Sequence, residues 1–442
     1  MTKPLLLFQG PIRSRSGYGD HTRDLILSLI NMNKFDILVA PTKWGDCSET
    51  GLDSHPERDK LTKVIMKNNQ LPKKPDVYIN CSVPNEFQPI GNFNIGITAG
   101  IETTVADASW IEGCNRMDLI IVPSHHSRDV LNRSTYDKID EKTRNKIGSL
   151  KIEKPIQVLF EGLDTSIYKQ TSVIPKSITE ELSSIKEEFC YLYVGHWLSG
   201  DLGHDRKDTG MLIKTFCNAF KNKEKKPALI LKTSMATFSI LDRDNITNKI
   251  KHIKSEFGND CPSIYLIHGD LTPDEMNGLY NHKKVKAHVS FTKGEGFGRP
   301  LLEAAATGKP VIAPNWSGHI DFLHPDYSVL LPGKLQEVHK SARWKGVINK
   351  GTEWFYVNYK NAEIVLRDVY QNYAEYIEKA KKQAELATTK FTLQEMQKIF
   401  TTIIENDVKI SPIPQQVGLN LPKLKKLKNN PGKLKLPKLK KG

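Results

Sequence analysis

Short apolar runs alternate with helix-like segments twice along this chain, and few architectures satisfy that pattern. In the first half the runs are residues 5–8, 35–40, 77–80, 94–98, 119–122 and 156–160. Each reads as a strand covered on both faces. Residues 20–30 have helical periodicity behind a Gly-rich turn, and another helix starts at 127–131. Residues 164–188 are rich in Ser, Thr and Lys with few apolar anchors, which reads as a linker plus a polar helix. A second series then begins, with strands expected at 190–194, 228–232, 263–267, 287–291 and 311–313. Helices are expected between them at 211–220, 273–280 and 299–307, followed by one long amphipathic helix over 361–386 and another over 393–404. Strands that alternate with helices build parallel sheets through crossover connections. The expected class is α/β, with two Rossmann-like, doubly wound domains facing each other across a cleft. Ligands of such sheets sit beyond the carboxyl ends of the strands. The expected boundaries are 1–165 and 189–390 for the two domains, with 166–188 as linker. A C-terminal helix able to cross back to the first domain occupies 391–410, and a Lys/Leu/Pro-rich tail without stable structure occupies 411–442.

Charge and cysteine usage narrow the class of partner. The net charge is +14, but residues 421–442 hold nine lysines and no acid, which leaves +5 (14 − 9) for the rest. The body therefore does not read as a nucleic-acid binder. The tail carries LPKLKK twice, separated by Pro and Gly. It reads either as a solubilising segment or as a contact for anionic lipid or nucleic-acid phosphate. The six cysteines, Cys47, Cys81, Cys114, Cys190, Cys217 and Cys261, include no C-x-x-C pair, so neither a zinc ribbon nor a thioredoxin-like motif is supported. The apolar run at 5–8 is too short for a signal-peptide core. No stretch approaches the roughly 20 apolar residues of a membrane span. Scattered thiols then fit a reducing cytoplasm, with peripheral membrane attachment through the tail as an option.

Chemistry concentrates in residues 293–320, KGEGFGRPLLEAAATGKPVIAPNWSGHI. Glu295 stands on a Gly-rich loop after a strand, and Arg299-Pro300 opens a helix, where Pro is tolerated in the first turn. Gly296 and Gly298 permit close approach of the backbone to a ligand, and the helix N-terminus favours an anion. Glu303, with seven residues between it and Glu295, lies one turn into the helix. A carboxylate there is able to accept two hydrogen bonds from vicinal hydroxyls such as those of a ribose. The conjunction of loop, spaced carboxylates and a following G-x-P-V-I-A strand is much more specific than a Gly-rich turn alone.

At these residues the sequence resembles the donor-site signature of family 4 glycosyltransferases of GT-B fold, also called glycosyl transferases group 1. The resemblance runs over about residues 90–405, through LIHGDLTPDEMNGLY at 266–280 and YVGHWLSGDLGHDRKDTGMLIKTF at 193–216. It implies a retaining, metal-independent hexosyltransferase with the donor in the second domain and the acceptor on the first. No cofactor is implied; the donor substrate is a UDP-, GDP- or ADP-sugar. The resemblance gives Glu303 the donor ribose, and Glu295 the transferred sugar. Gly296, Phe297 and Gly298 would line the sugar and phosphate with Arg299 beside them. Lys207 stands where the family has a lysine before its first helix and would pair with the diphosphate, since a departing phosphate needs a counter-charge. The family carries an arginine after the glycine that opens this segment, whereas here Gly195 is followed by His196 and Trp197. Arg206 is the candidate to supply that charge.

Further candidates come from other strand ends. Gly17 and Gly19 in RSRSGYGD at 13–20 resemble the family's loop facing the diphosphate, and the loop is not G-x-G-x-x-G, which disfavours a dinucleotide site. Arg13 and Arg15 suit an anionic acceptor. Glu102 is placed either against the sugar, as a second catalytic candidate, or as a cap of the next helix. His125 reads as an acceptor-side residue or a surface histidine. Ser317 and Gly318 lie on the loop after the last strand of the signature and are donor-binding candidates through their backbone groups, while Asp321 reads as a loop cap. Glu295 and Glu303 offer no arrangement resembling a glycosidase pair. The alternatives are a nucleotide-sugar epimerase or phosphorylase on the same fold, and a non-catalytic sugar-nucleotide or nucleic-acid binding protein recruited by its tail. The acceptor is left open among glycan, lipid and modified nucleic acid.

Overall fold

The computed structural model describes residues 3–409, apart from Ser54, Asn69, Ala236 and Thr237, and the Lys-rich tail lies outside the described residues. The first half runs β1 Leu5–Gly10, α1 Gly17–Met32, β2 Asp36–Pro41, α2 Arg58–Val64, β3 Val77–Cys81, β4 Phe93–Ile97, α3 Ala108–Asn115, β5 Leu119–Val122, α4 His125–Arg133, β6 Tyr136–Ile139, β7 Lys146–Leu150 and β8 Ile156–Val158. Six of these strands form one parallel sheet in the order β2-β1-β3-β4-β5-β8. The apolar runs follow the period-2 rule of strands. Leu6, Phe8, Leu119 and Ile121 enter the core on one face, while Leu7, Ile120 and Val122 enter that on the other. β6 and β7 form a separate antiparallel pair.

Beyond α5 Lys176–Glu181, the second half contains β9 Cys190–His196, α6 Thr209–Phe220, β10 Ala228–Ser234, α7 Ile240–Ser255, β11 Ile264–Ile267, α8 Pro273–Asn281, β12 Val285–Val289, α9 Arg299–Ala305, β13 Val311–Pro314 and β14 Val329–Leu331. Their sheet is again parallel, in the order β11-β10-β9-β12-β13-β14. Winding reverses between β9 and β12, the point at whose carboxyl ends sheets of this kind bind their ligands. The sequence gives α8 a capped start. Thr272 accepts the amide of Glu275 while Glu275 accepts that of Thr272, and Pro273 fills the first turn.

Besides elements that the sequence reading did not name, such as β14 and α7, three features differ from it. β15 Gly333–Glu337 and β16 Glu353–Val357 form an antiparallel hairpin. The helix expected over 361–386 is instead two, α10 Tyr359–Gln371 and α11 Tyr373–Lys390. Asn372 leaves helical geometry between them, and the Asp368 carboxylate accepts from both the Asn372 side chain and the Tyr376 hydroxyl. The stretch read as poor in apolar anchors does have them, because Ile178, Leu182 and Ile185 are buried in the second half's core. Finally, α12 Leu393–Asp407 returns to the first half, where Met396, Phe400, Ile403 and Ile404 join the core against α1. Among the described residues no helix is long and apolar enough to cross a membrane.

Candidate active site

The loop between β12 and α9 brings the first motif carboxylate to the junction of the two halves. A Cβ on Gly294 would lie 2.0 Å from the Glu102 carbonyl oxygen, and one on Gly296 1.9 Å from that of Ala99. These two glycines let the loop seat directly on the backbone that follows β4 in the first half. Gly298, at φ 101°, turns the chain into α9. Phe297 is buried in the second half's core. The Glu295 amide donates to Ser317 Oγ at 3.0 Å, and its carbonyl accepts from the Gly318 amide at 2.9 Å. Ser317 has φ 79°, a costly value for a residue with a side chain. That conformation puts its hydroxyl on the Glu295 backbone, so Ser317 and Gly318 shape the loop from behind.

Two cations meet the Glu295 carboxylate. Lys207 Nζ donates to Oε1, and Arg206 Nη1 lies 3.3 Å from Oε2. Arg206 also donates to the Gly294 carbonyl at 2.9 Å and stands 3.7 Å from Glu102. Burial opposes ionisation of Glu295, but the charges of Lys207 and Arg206 outweigh it and hold the carboxyl down to about 2. Burial pushes the Lys207 ammonium down against the pull of Glu295.

The loop bearing both cations is fixed by Lys293, a wholly buried residue that sequence reading passed over. Its Nζ donates to the Asp205 carbonyl at 2.7 Å and pairs with Asp208 at 2.6 Å. Its amide donates to the Arg206 carbonyl at 2.7 Å. The rings of Trp354 and Tyr356, from β16, cover the ammonium at 5.7 and 4.7 Å. The first residue of the KGEGFG run thus holds the Arg206-Lys207 backbone in place. Only its position in that run marked it beforehand.

Glu303 has a different environment. The Tyr280 hydroxyl donates to its Oε2 at 3.1 Å, and Arg299 Nε lies 3.7 Å from Oε1. Arg299 is shared, with Asp24 of α1 at 3.0 Å and Glu161, just beyond β8, at 3.9 Å. Three buried carboxylates therefore face one guanidinium. Burial raises Glu303 to about 7, Glu161 to about 8 and Asp24 to about 6, in each case against the pull of Arg299. Sequence reading missed Asp24, Glu161 and Tyr280. Each belongs to a quoted or adjacent segment, but only the fold brings them to Arg299 and Glu303.

The remaining candidates scatter around this junction. Arg15 pairs with Asp270 of the second half at 3.4 Å, while Arg13 is exposed. Gly19 is required by the Ser14 carbonyl, 2.0 Å from where its Cβ would stand, and its amide donates to Ser16, the cap of α1. Among the described residues nothing lies within 4 Å of a Cβ on Gly17. The helix after Glu102 is capped by Asp107, so Glu102 is free of that duty. His125 is well exposed and meets Asp321 across the junction at 3.0 Å, through Nδ1. Asp321 therefore holds the start of α4 rather than only its own loop. His196, where the family carries arginine, has Nδ1 3.0 Å from Ser234 Oγ, and burial followed by the charges of Lys207 and Arg206 pushes its pKa down. A groove of about 830 Å³ lies elsewhere, between the β15–β16 hairpin and α6, lined by His204, Met211, Tyr356 and Lys360.

Comparison with known proteins bears on this arrangement. Residues 252–346, which include both motif carboxylates, match a family described as glycosyl transferase-like. No curated protein matches the chain in sequence. Among solved structures, a glycosyltransferase from Rickettsia africae is similar with a TM-score of 0.59 and 15% identity, over 93% of this chain and 100% of that one. Sucrose-phosphate synthase from Thermosynechococcus elongatus gives 0.59 and 13%, over 91% and 98%. HepE from Anabaena, solved with UDP and glucose, gives 0.56 and 11%, over 91% and 99%.

Proposed function

We propose that this chain, which has the GT-B fold of those structures, is a glycosyltransferase that moves a sugar from a nucleoside-diphosphate sugar to an acceptor with retention of configuration and without a metal ion. The observation that carries the reading is the setting of Glu295. Its ionised carboxylate shares Arg206 and Lys207 at the junction of the halves, beside Glu102 of the first half. Cations fixed in a buried crevice suit a leaving diphosphate, whose charge grows as the sugar–phosphate bond breaks. In this reading Arg206 and Lys207 receive the diphosphate and Glu295 positions the sugar. Glu303 accepts hydrogen bonds from the ribose hydroxyls. The acceptor oxygen attacks the anomeric carbon on the face the phosphate leaves, and its proton passes to the leaving phosphate oxygen. One glycosidic bond forms, one sugar–phosphate bond breaks, and a nucleoside diphosphate departs.

UDP-glucose is the first donor to try, because HepE was solved with UDP and glucose. A thermal-shift series over UDP-, GDP- and ADP-sugars finds the donor, since a ligand at 100 times its Kd stabilises by about 2.7 kcal/mol. With that donor, transfer to an acceptor panel in the presence of a chelator should give a product of unchanged anomeric configuration by NMR. A chelator-sensitive reaction or an inverted product overturns the corresponding part of the reading. Isomerised donor formed without acceptor assigns an epimerase instead.

A further inference from the structure

Cys217 and Cys261 stand far apart in the sequence, yet their sulfur atoms are 2.7 Å apart. Cys217 lies on the buried face of α6 within the second half's core, and Cys261 is partly exposed just ahead of β11. The two backbones are held together independently of the sulfurs. The Asp260 carboxylate accepts the Asn222 amide at 2.6 Å, and Lys226 Nζ donates to the Asp260 carbonyl at 2.8 Å. The turn after α6 is therefore stitched to the turn before β11, with one cysteine on each side of the seam. The contact with the Cys217 thiol, followed by the nearby charges of Lys254 and Lys226, favours the Cys261 thiolate against partial burial. A partly exposed thiol beside a buried one is the arrangement in which one sulfur meets the oxidant and the other resolves.

We propose that Cys217 and Cys261 form a reversible disulfide when the protein meets a peroxide. The Cys261 thiolate attacks one peroxide oxygen, the O–O bond breaks, and hydroxide leaves, giving a sulfenic acid. The Cys217 sulfur then attacks the sulfenic sulfur; the S–S bond forms, the S–O bond breaks, and water departs with the Cys217 proton. In sum, two thiols and hydrogen peroxide give one disulfide and two waters. The bond closes a loop containing β10 and α7 and braces α6 against them. Cys217 is eight residues into α6 from Thr209, or about 12 Å along its axis from the end next to Lys207. The oxidised protein accordingly keeps its donor cations in place and gains stability.

The test uses the full-length chain. It is treated with hydrogen peroxide at a few equivalents, quenched with an alkylating agent and mapped by mass spectrometry without reduction. The expected result is a cross-linked peptide pair containing Cys217 and Cys261, with alkylatable thiols under denaturing conditions falling from six to four and returning on reduction. The melting midpoint of the oxidised form should rise by about 5 °C. Cys217→Ser should leave Cys261 trapped as a sulfenic acid by dimedone, which wild type escapes. Six alkylatable thiols after treatment, a disulfide involving any other cysteine, or no dimedone adduct in Cys217→Ser overturns the proposal.

Discussion

Glu295 and Glu303 belong to one short stretch of chain, both are buried, and both meet charged side chains at the junction of the halves, yet the fold gives them opposite electrostatics. Around Glu295 two cations face two carboxylates, counting Glu102, and the group is held ionised down to about 2. Around Glu303 a single Arg299 serves three carboxylates, and burial leaves the group to titrate at about 7. In the proposed reading the difference separates two tasks that the sequence motif presents together. One carboxylate keeps a fixed charge that holds the two cations proposed to receive the diphosphate. The other sits among the hydroxyls of Tyr280 and Tyr168 and changes its charge near neutral pH.

The comparison breaks most visibly at Lys207. Lys207→Met leaves Arg206 as the one cation among the described residues that contacts Glu295, and takes a charge from the proposed diphosphate site. The transfer rate at saturating donor should fall by about 10²–10³-fold, read from initial rates of product formation. A loss below threefold would remove Lys207 from the chemistry. Glu303→Gln is the next largest change. A hydrogen bond to a charged partner contributes about 1.5–3 kcal/mol, so the donor Kd should rise by roughly 10–100-fold in calorimetry. The same pair of proteins tests the titration. If only ionised Glu303 holds the ribose, wild-type donor affinity falls by about tenfold between pH 8 and pH 6, and Glu303→Gln is flat over that range. A parallel decline in both proteins would assign the dependence to another group.

The sequence made the elements that bear these two carboxylates far more legible than the contacts that set their surroundings. Most strands of both parallel sheets were readable, because continuous apolar runs such as Leu119–Val122 have no other stable use in a chain of this kind. The loop bearing Glu295 and the helix bearing Glu303 were readable for a related reason, since glycine, proline and charge at strand ends mark turns, whereas Arg206 and Lys207 were placed only by the resemblance of their segment to the family's. The hairpin of β15 and β16 was not. β15 is exposed along its whole length, so it lacks the apolar run that announces a buried strand. The ring clamp on Lys293 depends on that hairpin and was hidden with it. Asp24 and Glu161 were hidden for a different reason. They become partners of Arg299 only when α1 and the end of β8 are brought against α9, a meeting of segments distant in the chain that no local pattern encodes.

Those hidden carboxylates give the smaller predictions. Glu161 should make stability depend on pH. Its carboxyl ionises at about 8 in the folded protein against an ordinary 4.5, so the folded state binds more protons between those values. Its contribution is fully present below about 4.5 and is lost as pH rises through about 8. Glu161→Gln removes that loss. The variant should melt about 2–4 °C above wild type at pH 8.5 and close to it at pH 5. A gain that is equal at both pH values would mean that ionisation of Glu161 is not the cause.

Asp24→Asn should have the smallest effect and gives the sharpest test of whether Arg299 is divided among its partners. Asp24 is the nearest of the three carboxylates to the guanidinium, at 3.0 Å, and it belongs to the opposite half from Glu303. With Asp24 neutral, Arg299 is less compensated and free to move toward Glu303, now 3.7 Å away. Both changes favour the Glu303 carboxylate. The midpoint of donor affinity against pH should shift downward by less than one pH unit, while affinity at pH 8, where Glu303 is already ionised, changes by under threefold. An upward shift would mean that Asp24 holds Arg299 where it serves Glu303. A large loss at pH 8 would mean instead that the Asp24–Arg299 contact matters for keeping the two halves closed, and the two outcomes are separated by measuring both pH values on one protein preparation.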